Sequence, residues 1–519
     1  MGNRHKRSNT NQKKRKKNAV KVEPVEKIEV KNEVEEEPKS LLKTIIKTIV
    51  LIVLFCIPLS LISLNAELIV GDELWNFQNI SKMIHGGTMY ENCNIIITPI
   101  FYLIGYCFVK LITGTILGFR IYNVCIFLGL LLSSFALFRT LKITRARSFI
   151  YTLLVFLFVM PYITVGANYN VLAEAIYVLG IVLFLNKDKI KGYNIFQGIV
   201  IFACIFTKQN IGLYYLIALV IAEITIDKKE SVHYIIREIM VALVCTLIAV
   251  IIMNIAGCFR GFLNYTIYGM GEFTTENLVI QDATKIVVIG YLVIALCSYI
   301  LSFLLSRQNK EIINNVEVLC LFSIMLNISV LPIANIYHTS FAILINLVIF
   351  VYIFDVLFLH KLNNKIALGI IAVIFYLAIN SYGVVCVLRS EKNIKIVDNE
   401  NVYFSANISE ELSKRLEEVT NYIKEKEKEG IDVICLSADS PLYMTALNKN
   451  HGELDLCFIG NLGWNGKEKT LEKVQELKDT EILISNDEYW QEVDEIKDYV
   501  RDNCEKLEPI NNLEVYKSK

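Results

Sequence analysis

IIITPIFYLIGYCFVKLI, residues 95–112, is just long enough to cross a bilayer, yet it contains Pro99, Gly105 and Lys110. How it is threaded fixes the side of every later loop. If it crosses, the next apolar run, about 119–138, delivers RTLKITRAR (139–147) to the outside, against the excess of Lys and Arg found in cytoplasmic loops. If instead it lies along or dips into the outer interface, RTLKITRAR becomes cytoplasmic. So then do NKDKIK (186–191), DKKESVHYIIRE (227–238), SRQNKE (306–311) and HKLNNK (360–365). The second threading gathers every strongly basic connector on one face and predicts a multispanning α-helical membrane protein with about eleven transmembrane helices.

Composition agrees. Of the 519 residues 54% are hydrophobic, too many for a soluble chain, and mean hydropathy is positive. Lys plus Arg and Asp plus Glu are equal at 52 each, but they are segregated. Residues 1–40 carry RHKR and KKRKK and then VEKIEVKNEVEEEPK, and read as a disordered cytoplasmic arm rather than a nucleic-acid binder. The run at about 43–66 is too long for a signal-peptide core and is expected to be an uncleaved first helix. The membrane domain then covers 41–388, its N-terminus cytoplasmic, with outer segments at 67–118, at 257–283 and beyond 389. The 13 cysteines are scattered through apolar runs without metal-ligand spacing, so neither a metal site nor a disulfide framework is indicated.

Residues 389–519 change character. Helical patterns at 408–429, 467–478 and 490–505 alternate with strand-like DVICLSA (432–438), LDLCFIG (454–460) and EILIS (481–485), which predicts a small extracytoplasmic α/β domain. GNLGWNG (460–466) lacks the spacing of a dinucleotide or phosphate-binding loop and reads as a turn.

Chemistry concentrates in the first outer loop. In GDELWNFQNISKMIHGGTMYEN (71–92), Leu74, Phe77, Ile80 and Ile84 recur at nearly helical spacing, and Gly86-Gly87 ends the stripe. This predicts an amphipathic helix lying at the membrane surface with Trp75 in the interfacial belt. Asp72 and Glu73 begin it. Their plainest role is capping and dipole stabilisation, worth only about 1 kcal/mol. The Pro-containing run that follows adds a second buried segment, so that together they cover a cavity opening outward.

The pattern of that loop, followed by TPIFYLIGYCFVKLITGTILGFRIYNV (98–124) with an Arg opening the next span, resembles the membrane glycosyltransferases of the GT-C superfamily. The likeness is to protein O-mannosyltransferase-like and aminoarabinose transferase-like enzymes of the bacterial family 39 type. Thr98-Pro99 stands where many members have two prolines. WQEVDEIKDYVRDNCEKLEPINNLEVY (490–516) is similar to extracytoplasmic domains appended to some bacterial members. The resemblance implies transfer of a sugar from a polyprenyl-phosphate donor to an extracytoplasmic glycan, lipid or protein acceptor, normally with inversion. Asp72 would be the general base, with Glu73 orienting the acceptor or sharing the proton.

The leaving lipid phosphate asks for a cation on the outer side. Lys208 in TKQN (207–210), His338 in PIANIYHTS (332–340) and Arg260 are the candidates. Against these stand plain alternatives: a snorkelling lysine, a turn-capping histidine and an arginine on lipid headgroups. Asn168, Asn170 and Glu174 in ANYNVLAEAIY (167–177), with Tyr90 and Gln209, are expected to line the cavity. Glu272, Glu276 and Asp282 make the 257–283 segment acidic; they read first as solvated loop acids, with a divalent cation, Mg or Mn, as the alternative. Membrane lipids complete the expected partners, and nucleic acid is not among them. Two other classes compete, a transporter or flippase of lipid-linked sugars and a non-catalytic cell-envelope binding protein, and both predict that Asp72→Asn leaves function largely intact.

Overall fold

A computed structural model describes residues 41–519 apart from 227–230, 277–292, 294–295, 297–298, 301–309, 334–335, 360–363, 459–460 and 486–491. The expected N-terminal arm, most of SRQNKE and Asp282 lie outside the described residues, as does most of the span expected between residues 283 and 306.

The chain is a multispanning helical membrane protein. Its first helices are α1 (Leu41–Ser63), α2 (Asp72–Ile84), α3 (Ile100–Ile112), α4 (Ile116–Thr140), α5 (Arg145–Val159), α6 (Tyr169–Leu185), α7 (Tyr193–Ile205), α8 (Gln209–Ile226) and α9 (Ser231–Ile255). Six helices among the described residues are long and apolar enough to cross a membrane: α1, α4, α5, α9 and the segments Tyr337–Leu357 and Lys365–Ser390. Shorter apolar helices stand between them. On α9, Leu243, Leu247 and Ile251 face outward, as do Val373, Leu377 and Val384 on Lys365–Ser390. Such faces are stable only against lipid, where the helix satisfies its own backbone polar groups. α4 is largely buried and packs against α1, α3, α5 and α6, so it is the core around which the others assemble.

The bundle has two chemically distinct ends. At one, Asn186 Nδ2 donates to Thr140 Oγ1 at 2.9 Å, Lys187 pairs with Glu223 at 3.1 Å and Arg147 with Asp355 at 3.1 Å. These contacts gather RTLKITRAR, NKDKIK, the end of α8 and the approach to HKLNNK. At the other end the backbone N–H of Leu68 meets the Asn407 carbonyl at 2.7 Å, that of Ile116 meets the Val402 carbonyl at 2.9 Å, and that of Asn465 meets Glu272 Oε1 at 2.7 Å. The three segments expected outside therefore pack together. α3 begins at this end, its Ile100 N–H on the Phe206 carbonyl at 2.9 Å, and the chain is back there at Ile116. Its 13 residues rise about 20 Å, short of a bilayer core of about 30 Å, and both its ends stay at this end of the bundle, so α3 does not cross.

The tail holds a two-stranded pair, β1 (Ile394–Lys395) with β2 (Asn407–Ile408), and a mixed sheet. In that sheet β3 (Val433–Cys435) runs parallel to β4 (Glu481–Ser485), which pairs antiparallel with β6 (Leu513–Lys517), and β5 (Glu505–Lys506) edges β6. The strand expected at LDLCFIG (454–460) does not form over its described residues 454–458, where only an isolated bridge joins Phe458 to Glu492. Gly452–Leu456 is a 3-10 helix, because the Asp455 carboxylate accepts the His451 N–H at 2.8 Å and reaches Lys82 at 2.7 Å, a geometry that an extended chain forbids.

α2 departs from expectation as well. Its helical stripe is present, but Asn76, Gln78, Asn79 and Lys82 outside the stripe are buried too. Tyr102 of α3 donates to Asn76 at 2.6 Å, and the tail domain covers Lys82. Trp75 is not an interfacial anchor: its indole N–H donates to the Ala438 carbonyl at 3.2 Å and its ring meets Phe458 at 4.8 Å. The two-ended arrangement predicts that single cysteines at the exposed positions Lys189 and Asn450, in a background lacking native cysteines, react with an impermeant maleimide from opposite sides of the membrane. Labelling of both from one side overturns it.

Candidate active site

Gly71 is the residue preceding α2, so Asp72 is the first helical residue and not its cap. The two neighbouring acids then part. Glu73 forms a two-pronged pair with Arg120 on α4, Nε to Oε1 at 2.9 Å and the second guanidinium nitrogen to Oε2 at 3.1 Å, both side chains buried. Arg120 also donates to the Ala66 carbonyl at 2.9 Å beyond the end of α1. The turn before α6 presses on this pair: Gly166 has φ +92°, and a Cβ there would sit 2.8 Å from Glu73 Cβ. Each Glu73 oxygen thus accepts one guanidinium N–H, which anchors the start of α2 to α4.

Asp72 faces the start of α6. Asn168 caps that helix, its Oδ1 accepting the Asn170 N–H at 2.8 Å, while its Nδ2 donates to Asp72 Oδ2 at 3.2 Å. Lys208, in the turn between α7 and α8, donates to Asn170 Oδ1 and lies 5.4 Å from the Tyr169 ring centroid. Asn168-Tyr169-Asn170 thus joins the acid to the cation. Behind it opens a small cavity lined by Asn170, Glu174, Lys208 and His338 together with apolar residues such as Ile211 and Phe341. Asp72 and Lys208 are half-buried by exposed surface but crowded by protein on their other sides. Desolvation pushes the Asp72 carboxyl up to about 6, with Lys208 opposing the rise. Desolvation likewise brings Lys208 down to about 7, with Asp72 opposing.

No protein-family model and no curated protein matches the sequence. Among solved structures, the crystal structure of ArnT from Cupriavidus metallidurans bound to undecaprenyl phosphate superposes with a TM-score of 0.55. The alignment covers 91% of this chain and 98% of that one at 12% identity. The chain has the ArnT fold. The apo state of the same protein gives a TM-score of 0.45 at the same coverage and identity.

Within the ArnT fold the remaining expected residues divide. His338 and Glu174 reach the cavity, whereas Gln209 turns its Nε2 to the Ile96 carbonyl at 3.0 Å. Tyr90 braces its loop, its hydroxyl donating to the Ile97 carbonyl at 2.8 Å and its ring on Phe262 at 5.6 Å; it does not line the cavity. Arg260 is exposed and does not line it either, because its neighbour Gly261 packs flush on the Tyr90 carbonyl and leaves the arginine outside. Among the described residues no group of three or more metal-ligating side chains forms, and Glu272 is engaged with Asn465. Sequence reading passed over Arg120 as a functional residue, although a lone arginine in the apolar run GFRIYNV was a visible signal.

Because Arg120 is buried, Glu73→Gln leaves its charge uncompensated, and such losses cost about 3–5 kcal/mol. A lowered thermal unfolding midpoint of the purified protein in detergent is expected, with Glu73→Asp intermediate. An unchanged midpoint removes Glu73 from its structural role.

Proposed function

We propose that the protein is an integral-membrane glycosyltransferase that moves a sugar from a polyprenyl-phosphate donor to a hydroxyl of an extracytoplasmic glycan, lipid or protein, with inversion. One observation carries the reading: in an ArnT-type fold, Asp72 and Lys208 are joined across Asn168-Tyr169-Asn170 at a cavity. The ArnT crystal structure holds undecaprenyl phosphate, the class of lipid that this reaction would release. The excess of basic residues at the opposite end supports a cytoplasmic N-terminus and an extracytoplasmic tail and site.

The acceptor oxygen attacks the anomeric carbon, the bond from that carbon to the phosphate oxygen breaks, and the polyprenyl phosphate leaves with the electron pair. Asp72 takes the hydroxyl proton as the attack proceeds. Asn168 holds Asp72 Oδ2, so the carboxylate presents its other oxygen in a fixed direction. Negative charge growing on the phosphate meets Lys208, helped by the amide dipoles of α8, which begins at the next residue, and by His338. A nearly neutral carboxyl pKa suits the base, since it is ionised at working pH and still basic enough to accept a proton.

Asp72→Asn keeps the shape and the Asn168 contact but removes the base, and is expected to lower kcat by about 10² to 10⁴ with polyprenyl-phosphate binding retained. Transfer assays with a panel of polyprenyl-phosphate sugars check this; transport of the lipid-linked sugar with no glycosylated product sinks the reading. The pH profile of kcat/KM is expected to be bell-shaped. Activity rises as Asp72 ionises near 6 and falls as Lys208 loses its proton near 7. Lys208→Met removes the charge that opposes the rise in the Asp72 pKa, so the acid limb moves to higher pH. An acid limb that stays in place separates the two groups.

A further inference from the structure

Glu174 sits on α6, one turn below Asn170, and the mechanism above uses neither its carboxylate nor the amide nitrogen of Asn170. Glu174 is 1% exposed and Asn170 3%. Neither oxygen of Glu174, nor Asn170 Nδ2, has a hydrogen-bond partner among the described residues. An unpartnered carboxyl within an apolar helix is costly and marks a place where something from outside the chain completes the hydrogen bonding. Both residues lie on the same helix face, four positions apart and so separated by about 6 Å of rise, and both line the cavity that Lys208 enters.

The chemistry of this corner selects among the parts of a lipid-linked sugar, and here the inference rests on the donor proposed above. A phosphate is better met by the Lys208 ammonium than by a carboxyl. An isoprenoid chain has nothing to donate or accept. The sugar ring remains: its hydroxyls donate to a carboxylate and accept from a carboxamide N–H. The ring is bonded directly to the phosphate, so a phosphate at Lys208 holds the ring close to Asn170, the residue that Lys208 touches. We infer that Glu174 and Asn170 form the subsite that reads the hydroxyls of the donor sugar, Glu174 as acceptor and Asn170 Nδ2 as donor. A site built to hydrogen-bond a hydroxyl discriminates strongly against an analogue that lacks it, which makes the pair specificity-determining.

The test measures binding, so that it does not depend on turnover. Purified protein is titrated with polyprenyl phosphate, with a polyprenyl-phosphate hexose and with its single-deoxy analogues. The wild type is expected to gain affinity from the sugar and to lose about tenfold or more of it on one deoxy analogue. Glu174→Leu is expected to bind bare polyprenyl phosphate within about twofold of wild type, to bind the hexose-bearing lipid about tenfold more weakly, and to ignore the deoxy substitution. Glu174→Gln, which keeps an acceptor oxygen and the side-chain volume, is expected to recover part of the discrimination. A wild type that binds the sugar-bearing lipid no tighter than the bare phosphate, or a Glu174 variant that keeps full discrimination, overturns the subsite. So does an equal loss for both lipids, which marks a purely structural role. Sugar-dependent binding that yields no product with any acceptor overturns the transfer reading alone and leaves the subsite standing.

Discussion

The pairing of Glu73 with Arg120 is the constraint on which the rest of the site depends. One guanidinium ties the end of α1 through Ala66, the start of α2 through Glu73 and the body of α4 that carries it. Asn123, one turn further along α4, extends the tie by donating to Ser63 Oγ at 3.0 Å and to the Ile163 carbonyl at 2.7 Å. Burying two charges is favourable only when the geometry satisfies both, and the two-pronged arrangement does so. Neighbouring residues on a helix point about 100° apart. Fixing Glu73 on α4 therefore aims Asp72 elsewhere, and the Gly166 turn, in contact with Glu73, brings Asn168 to meet it.

The tail domain acts on the same helix from the other side. Lys82 pairs with Asp455 at 2.7 Å and donates to the Gly452 carbonyl at 3.1 Å, while Asn94 donates to the carbonyls of Glu453 and Leu456. α2 thus has no face left for solvent or lipid. It is a polar helix held between an apolar bundle and a folded domain: Asn76 accepts from Tyr102 of the bundle, and Lys82 finds its partners in the tail. The tail is accordingly part of the scaffold that fixes the position of Asp72, and not an appendage on a finished helical bundle.

What was legible in the sequence follows from the range of the physics involved. The end-to-end segregation of charge is a property of loops taken singly, so RTLKITRAR and its companions could be placed by a rule of composition. The start of α2 at Asp72 was legible from the polar residues that follow an apolar run. Glu73 was not separable from Asp72, because what distinguishes them is Arg120, 47 residues away and reached only in the folded chain. The same holds for Lys82, whose partner Asp455 lies in the tail, and for LDLCFIG, where that long-range ion pair overrides a strand-like pattern. β5 escaped notice for a different reason: its sequence, EK, carries no apolar residue to announce a strand without the neighbour that pairs it.

The bridge of asparagines decides whether the acid and the cation can work at all. Had Asp72 and Lys208 met directly in so confined a place, each would have been neutralised by the other, and a reaction would have had to break that pair before either group acted. Here Asn168 satisfies one carboxylate oxygen and Asn170 satisfies the ammonium, so each charge has a partner that is itself neutral. The charges still feel one another through space, enough for each to temper the other's loss of ionisation by burial. A neutral spacer thus keeps a carboxylate and an ammonium side by side without direct pairing, the arrangement that the proposed displacement at a sugar phosphate would use.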